Sequence, residues 1–244
     1  ADLFSSLADK RELLLALITL IRAESCTRGD LLPTIHKAVR SVRSDLLSLP
    51  VAHSPVRVEL CDAREACRQL SDEVDLILTS PPYINVFNYH QNYRAILEVL
   101  GFDLLKVAES EIGSNRKNRS NRYRTVAQYC LDMEQAMISF ARCLKTSGTI
   151  VLVVGHQSQV RGVPFSNSQI LRDIAESLDC LNAEGERNRT FLNRFGEKIR
   201  EDILVFRKRK GDPNEGHGRI IAEKHLKRGL TMAEGPQKDE IQAA

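Results

Sequence analysis

Glycine and proline are scarce in this chain, at 13 and 8 of 244 residues. That is too little for a low-complexity or fibrous protein, and 42% hydrophobic with 27% charged residues is the balance of a globular one. Long apolar runs are also missing. The longest, Leu13 to Ile21 (LLLALITLI), falls far short of the ~20 residues needed to cross a bilayer, so no membrane partner is expected. Arg22, Glu24 and Arg28 follow it, where a signal peptide would place small residues. The run reads as a buried helix. The six cysteines (26, 61, 67, 130, 143, 180) form no CxxC pair. That argues against a zinc ribbon and a dense disulfide framework, so no metal is expected and a reducing, cytoplasmic setting fits. Neither sign of charge dominates: 35 basic minus 32 acidic residues leaves +3. Such a balance is compatible with a nucleic-acid partner without arguing for one.

What is present is a helical opening followed by alternating strands and helices. Residues 1–50 carry apolar positions at helical spacing, and Pro50 and Pro55 bracket a turn. Strands are expected at VRVEL (56–60), VDLIL (74–78), TIVLVV (149–154), more weakly near 180–187, and at IREDILVFR (199–207). Helices are expected at 64–70, 89–100, 125–145 and 167–178. The 125–145 helix places Val126, Tyr129, Met133, Ala136, Met137 and Phe140 on one face. Beyond Lys208 the chain is polar and glycine-bearing, and residues 209–244 read as a charged peripheral tail, partly helical near 219–228. Three regions follow: a helical segment 1–50, an α/β region 51–208 and the tail. The alternation predicts an α/β fold with a largely parallel sheet, whose functional residues gather at the carboxyl ends of strands. Asp62 and Ser80 sit at such ends.

The informative stretch is Asp75 to Tyr83, DLILTSPPY. One reading is a strand that ends in a proline turn. The other starts from what the turn offers. Pro81 and Pro82 have fixed φ and no backbone donor, so their carbonyls remain as oriented acceptors. Ser80 supplies a hydroxyl and Tyr83 a ring able to stack on a base. An exocyclic amino group, with two N–H donors, needs acceptors of this kind. Cys61 and Cys67 read as small buried residues, not nucleophiles. The lone His156, after TIVLVVG, reads as structural.

Here the sequence resembles the S-adenosylmethionine-dependent DNA amino-methyltransferases. TSPPY looks like their fourth motif, in the serine form typical of the cytosine-N4 branch; adenine-N6 members more often carry Asp or Asn there. SPPYINVFNYHQNYRAILEVLGF, RYRTVAQYCLDMEQAM (122–137), LKTSGTIVLVVGHQ (144–157) and IREDILVFRK (199–208) resemble one bacterial subgroup's blocks in the same order, covering about residues 56–208. The resemblance implies a Rossmann-like class I methyltransferase sheet. It implies S-adenosylmethionine as methyl donor and DNA as partner. Ser80 and the Pro81 carbonyl would accept hydrogen bonds from the target amino group, with Pro82 fixing the turn and Tyr83 stacking on the flipped base. Asp62, in VELCDAR, matches the acidic residue that contacts the cofactor, although Cys61 stands where the family usually has Gly. Asp62 is equally a helix N-cap. Asn85, Asn88 and Tyr89 would line the pocket or start a helix. Arg116, Lys117, Arg119, Arg122 and Arg124 form a basic run that is a solvated loop or a phosphate-contacting one. Arg187, Arg189 and Arg194 are a second such group. Adenine-N6 methylation, RNA methylation and a non-catalytic nucleic-acid-binding subunit stand as alternatives.

The family's glycine-rich cofactor loop is not found. No Gly-x-Gly follows an apolar strand; Gly216-His217-Gly218 lies in the tail. The order of motifs puts that loop upstream of residue 1. A truncated chain, a second polypeptide or an unrecognised replacement within residues 1–50 would account for it. The expectation is a target-base half that pairs with a cofactor-binding half.

Overall fold

The structure is a computed structural model and describes residues 10–24, 31–50, 54–59, 61–68, 70–84, 94–99, 101, 103–114, 118, 120–193 and 195–244. The chain divides into two compact units, one of residues 1–59 and 89–107, the other of 60–88 and 108–244. The first unit contains α1 (Lys10–Glu24), α2 (Leu31–Ser48) and the short α3 (Arg94–Val99). Arg22 on α1 reaches Ser41 Oγ (2.6 Å) and pairs with Asp45 on α2. The apolar run is helical but not buried: Leu14 and Leu15 are 58% and 41% exposed. Of the strand expected at 56–60, the described residues 56–59 are irregular, with Val56 and Val58 exposed. A strand forms only where a neighbour completes its hydrogen-bond ladder, and apolar alternation alone does not supply one. Among the described residues, no helix is long and apolar enough to cross a membrane.

The second unit is α/β. The segment expected as a helix at 64–70 forms a short 3₁₀ helix, Ala63–Arg68. β1 (Val74–Thr79) follows, and α4 (Leu104–Ser110) spans the boundary between the units. Then come α5 (Arg124–Cys143), β2 (Leu144–Gly155), a hairpin of β3 (Gln157–Val160) and β4 (Val163–Ser166), and α6 (Asn167–Ser177). β5 (Leu181–Leu192), β6 (Lys198–Lys208), α7 (Gly218–Met232) and α8 (Pro236–Gln242) complete it. The main sheet has order β1-β2-β6-β5. β1 and β2 are parallel; β2–β6 and β6–β5 are antiparallel, so the sheet is mixed, not largely parallel.

Period-2 alternation explains the core. Ile150, Leu152 and Val154 of β2 are fully buried, opposite Phe206, Leu204 and Asp202 of β6. The α5 stripe Val126, Tyr129, Met133 and Met137 belongs to the same core, together with Ile170, Leu171 and Ile174 of α6. The alternate residues, Val151 and Val153, are half-buried, and Leu76 and Leu78 on the edge strand β1 are 55% and 66% exposed.

The expected peripheral tail belongs to this core. Ile221, Ala222 and Leu226 of α7 and Ile241 of α8 are buried in it. Glu134 Oε1 of α5 accepts from His217 N (2.6 Å) at the start of α7. Asp173 of α6 receives both His225 Nε2 (2.8 Å) and Lys224 Nζ (2.7 Å). The β3–β4 hairpin, which the pattern reading did not find, turns at Arg161 and Gly162, both at positive φ, and buries Val160, Val163 and Phe165.

Candidate active site at the carboxyl end of the parallel pair

β1 ends at Thr79, opposite Leu152 of β2, and the chain turns out through Ser80-Pro81-Pro82-Tyr83. Ser80 is exposed, and its hydroxyl donates to the Val153 carbonyl at 2.8 Å. With that proton on Val153 the oxygen faces a further partner as an acceptor; the same hydroxyl also hydrogen-bonds Tyr83. Pro81 is buried and Pro82 half-buried. The strand and the prolines thus present oxygen without competing N–H groups.

Tyr83 is held from three sides. Its ring lies against Gly155 at the end of β2, where a Cβ would stand 2.9 Å from Tyr83 Cε2 and 3.1 Å from Cδ2. Its carbonyl sits over Gly113, where a Cβ would come within 2.8 Å. Its hydroxyl donates to Glu201 Oε1 at 3.2 Å. Burial raises the Tyr83 pKa. The Glu201 charge acts in the same direction, against the Ser80 and Gly155 hydrogen bonds, so the phenol stays a donor at neutral pH. Glu201 Oε2 also accepts from Arg189 Nε (2.6 Å).

Behind the turn, fully buried Asn167 opens α6. Its Oδ1 accepts from Ile84 N (3.3 Å), and its Nδ2 donates to the Gly155 carbonyl (2.9 Å) and Ser158 Oγ (3.0 Å). One amide therefore ties the exit of the turn to the end of β2. The sequence reading missed Gly155, Asn167 and Glu201. None of the three lies near the turn in sequence, and none carried a local signal.

The other candidates are placed differently. Asp62 Oδ1 accepts from Arg64 N (2.9 Å), and its backbone carbonyl accepts from Glu65 N (2.9 Å), which makes it the cap of the 3₁₀ helix. Its carboxylate also pairs with the Arg64 guanidinium (2.6 Å), which continues to buried Asp132 (2.8 Å). The hydrogen bond to Asp62 raises the Arg64 pKa further, against burial. Asp62 opens onto a polar cavity of about 430 Å³, shared with Arg64, Arg68, Gln135 and Arg142. Cys61 is exposed, not buried as expected, whereas Cys130 is buried and its thiol is pushed up to about 12. His156 is half-exposed and its Nδ1 lies 2.7 Å from Oδ2 of fully buried Asp202. In the basic run, Arg122 is half-buried and exposed Arg124 bonds the Ala243 carbonyl (3.3 Å). Arg116, Lys117, Arg119, Asn85, Asn88, Tyr89 and Arg194 lie outside the described residues.

No protein-family model matches the chain. Over 130 residues, 53% of the chain, it is 27% identical to the type II methyltransferase M.MjaII of Methanocaldococcus jannaschii. The match spans 24% of that relative's length. Among solved structures, a candidate DNA modification methylase of Thermus thermophilus, complexed with S-adenosyl-L-methionine, matches at 18% identity and a TM-score of 0.36. That match covers 64% of this chain and 56% of the other. A SAM-dependent methyltransferase of Methanosarcina mazei matches at 10% identity and a TM-score of 0.34, over 71% of this chain and 78% of its own. At such scores the superpositions establish no shared fold. The sequence comparison does make this chain similar to part of a type II methyltransferase.

Proposed function

We propose that this chain carries the base-binding part of an S-adenosylmethionine-dependent DNA amino-methyltransferase, cytosine-N4 in preference to adenine-N6. The observation that carries the reading is the turn after β1. It combines a serine hydroxyl bonded to the Val153 carbonyl, two prolines without N–H groups, and a braced aromatic ring. The similarity to part of M.MjaII supports it.

In this reading Ser80 and the Pro81 carbonyl accept the two N–H bonds of an exocyclic amine, which turns its lone pair outward. Pro82 holds the turn and Tyr83 stacks on the extruded base. S-adenosylmethionine supplies an activated methyl group. The chain's part is orientation, and no covalent enzyme intermediate is needed. Asp62 is the proposed cofactor contact, beside a cavity of nucleoside size. There it would share its carboxylate between the cofactor and Arg64. Arg116, Lys117, Arg119, Arg122 and Arg124 are proposed phosphate contacts. The glycine-rich loop is proposed to come from further polypeptide, upstream or in a second chain. The exposed leucines of edge strand β1 are suited to receive it, since parallel strands are ordinarily covered on both faces.

The test is transfer of labelled methyl from S-adenosylmethionine to duplex DNA, with the product nucleosides separated, alone and with the neighbouring coding sequence co-expressed. Label in N4-methylcytosine is expected. Ser80→Ala should lower kcat by about a hundredfold, the usual scale for one lost positioned hydrogen bond, and leave DNA binding unchanged. Label in N6-methyladenine would reassign the base, and full activity in Ser80→Ala would remove the serine from the site.

A further inference from the structure

The β5–β6 hairpin runs past the sheet that holds it. The β2–β6 ladder ends at Gly155 opposite Glu201, whereas β5 and β6 stay paired out to Leu192 opposite Lys198. The hairpin therefore leaves the body at Glu201, the residue that holds the Tyr83 hydroxyl. Its tip is well built. Asn193 N bonds the Glu197 carbonyl (2.9 Å), Asn193 Oδ1 accepts from Phe195 N (2.9 Å) and Glu197 N (3.0 Å), and Gly196 turns the chain at φ 79°.

This projecting arm carries large apolar side chains in the open. Phe191, Leu192 and Phe195 are 42%, 68% and 72% exposed. Around them, residues 187–200 hold five basic side chains (Arg187, Arg189, Arg194, Lys198, Arg200) against one acidic, Glu197. Strand alternation puts Arg187, Arg189 and Phe191 on the face that Glu201 shares with Tyr83. The Arg189 guanidinium lies 5.4 Å over the Phe191 ring and also bonds Glu201.

We propose that the arm from Arg187 to Arg200 is a duplex-DNA grip beside the extruded base, a role that rests on the function proposed above. A two-stranded ribbon fits the major groove, and apolar tips wedge between base steps. The excess of positive charge selects a phosphate backbone over a second copy of the same arm, which it would repel. Arg187, Lys198 and Arg200 meet phosphates, Phe195 and Leu192 meet bases, and the Arg189–Glu201–Tyr83 chain links the grip to the stacking ring.

The experiment is equilibrium binding of a short fluorescent duplex, over a range of salt, by the full chain and two variants. One variant is Leu192→Ser/Phe195→Ser, the other Arg187→Ala/Lys198→Ala; the Tyr83–Glu201 hydrogen bond involves none of the four residues. The tip variant is expected to bind about tenfold more weakly with its salt slope unchanged. The stem variant should lose about 1.8 from the slope of log K against log salt, for two phosphate contacts. Melting temperatures should match the parent's. If the parent binds DNA and both variants bind as well as it does, the arm proposal falls and the function proposed above stands. If the variants weaken binding but no methyl group is transferred even with the neighbouring coding sequence co-expressed, the arm stands and that function falls. A parent that binds no duplex overturns the arm, as does a variant that loses only self-association.

Discussion

At the scale of single residues, the contact between Gly155 and Tyr83 decides whether the turn after β1 keeps its shape. A methyl group at position 155 would press on the ring at 2.9 Å, and the ring cannot retreat without dropping its hydroxyl from Glu201. Gly155→Ala is therefore expected to cost about 1–3 kcal/mol, the range for inserting one methyl into a packed site. Methyl transfer should fall further than stability does. Thermal melting and the transfer assay on the same preparation check this; a variant with full activity would detach ring position from function. Ser80, Pro81, Pro82 and Tyr83 were legible in the sequence because their chemistry is local: proline geometry, a hydroxyl and a ring within four positions. Gly155, Asn167 and Glu201 were not. They meet Tyr83 or its neighbour Ile84 only through strand pairing and helix placement, from 72 to 118 positions away.

At the scale of elements, the strong periods were readable and the pairings were not. The α5 stripe and the apolar run of β2 showed directly in the sequence, whereas the alternate burial along that run did not. Residues 56–59 had the composition of a strand but form none, and the β3–β4 hairpin was hidden by its short, half-polar strands. α7 was read only in part, near 219–228, and as peripheral, because its buried face includes His225 amid lysines and arginines. That histidine makes a pH prediction. Burial lowers its pKa from the ordinary 6.5, against the pull of Asp173, while Lys224 and Arg228 lower it further. Burial works against ionised Asp173, but hydrogen bonds from Lys224, Gln169 and His225 hold its carboxyl below its ordinary 3.8. Both groups bind fewer protons folded than unfolded, so both contribute stability that is lost on acidification. The His225 share disappears as pH falls below 6.5 toward its folded value, and the Asp173 share below 3.8. Melting temperature followed against pH should decline in that first window for the parent. In His225→Gln it should be flatter there, and a parallel decline would assign the loss to other groups.

At the scale of the whole molecule, the α/β class followed from alternating periods, whereas the mixed strand order and the place of the last 36 residues (244 − 208) did not. Polar composition and glycines describe a segment's surface, not what its few apolar residues meet. Here they meet the centre of the second unit. Removing everything after Lys208 would strip Ile221, Leu226 and Ile241 from the core, at about 1.5–3 kcal/mol each. It would also leave Glu134 and Asp173 as buried carboxylates without His217, Lys224 and His225. Domains of this kind are stable by about 5–15 kcal/mol in total. A chain ending at Lys208 is therefore expected to lose its cooperative melting transition and near-ultraviolet circular dichroism, with much of its secondary structure surviving. A truncated chain that melts like the parent would show that α7 and α8 are accessory to the fold. The predicted collapse would place the outer boundary of the base-binding region at the end of α8, 34 residues beyond β6 (242 − 208).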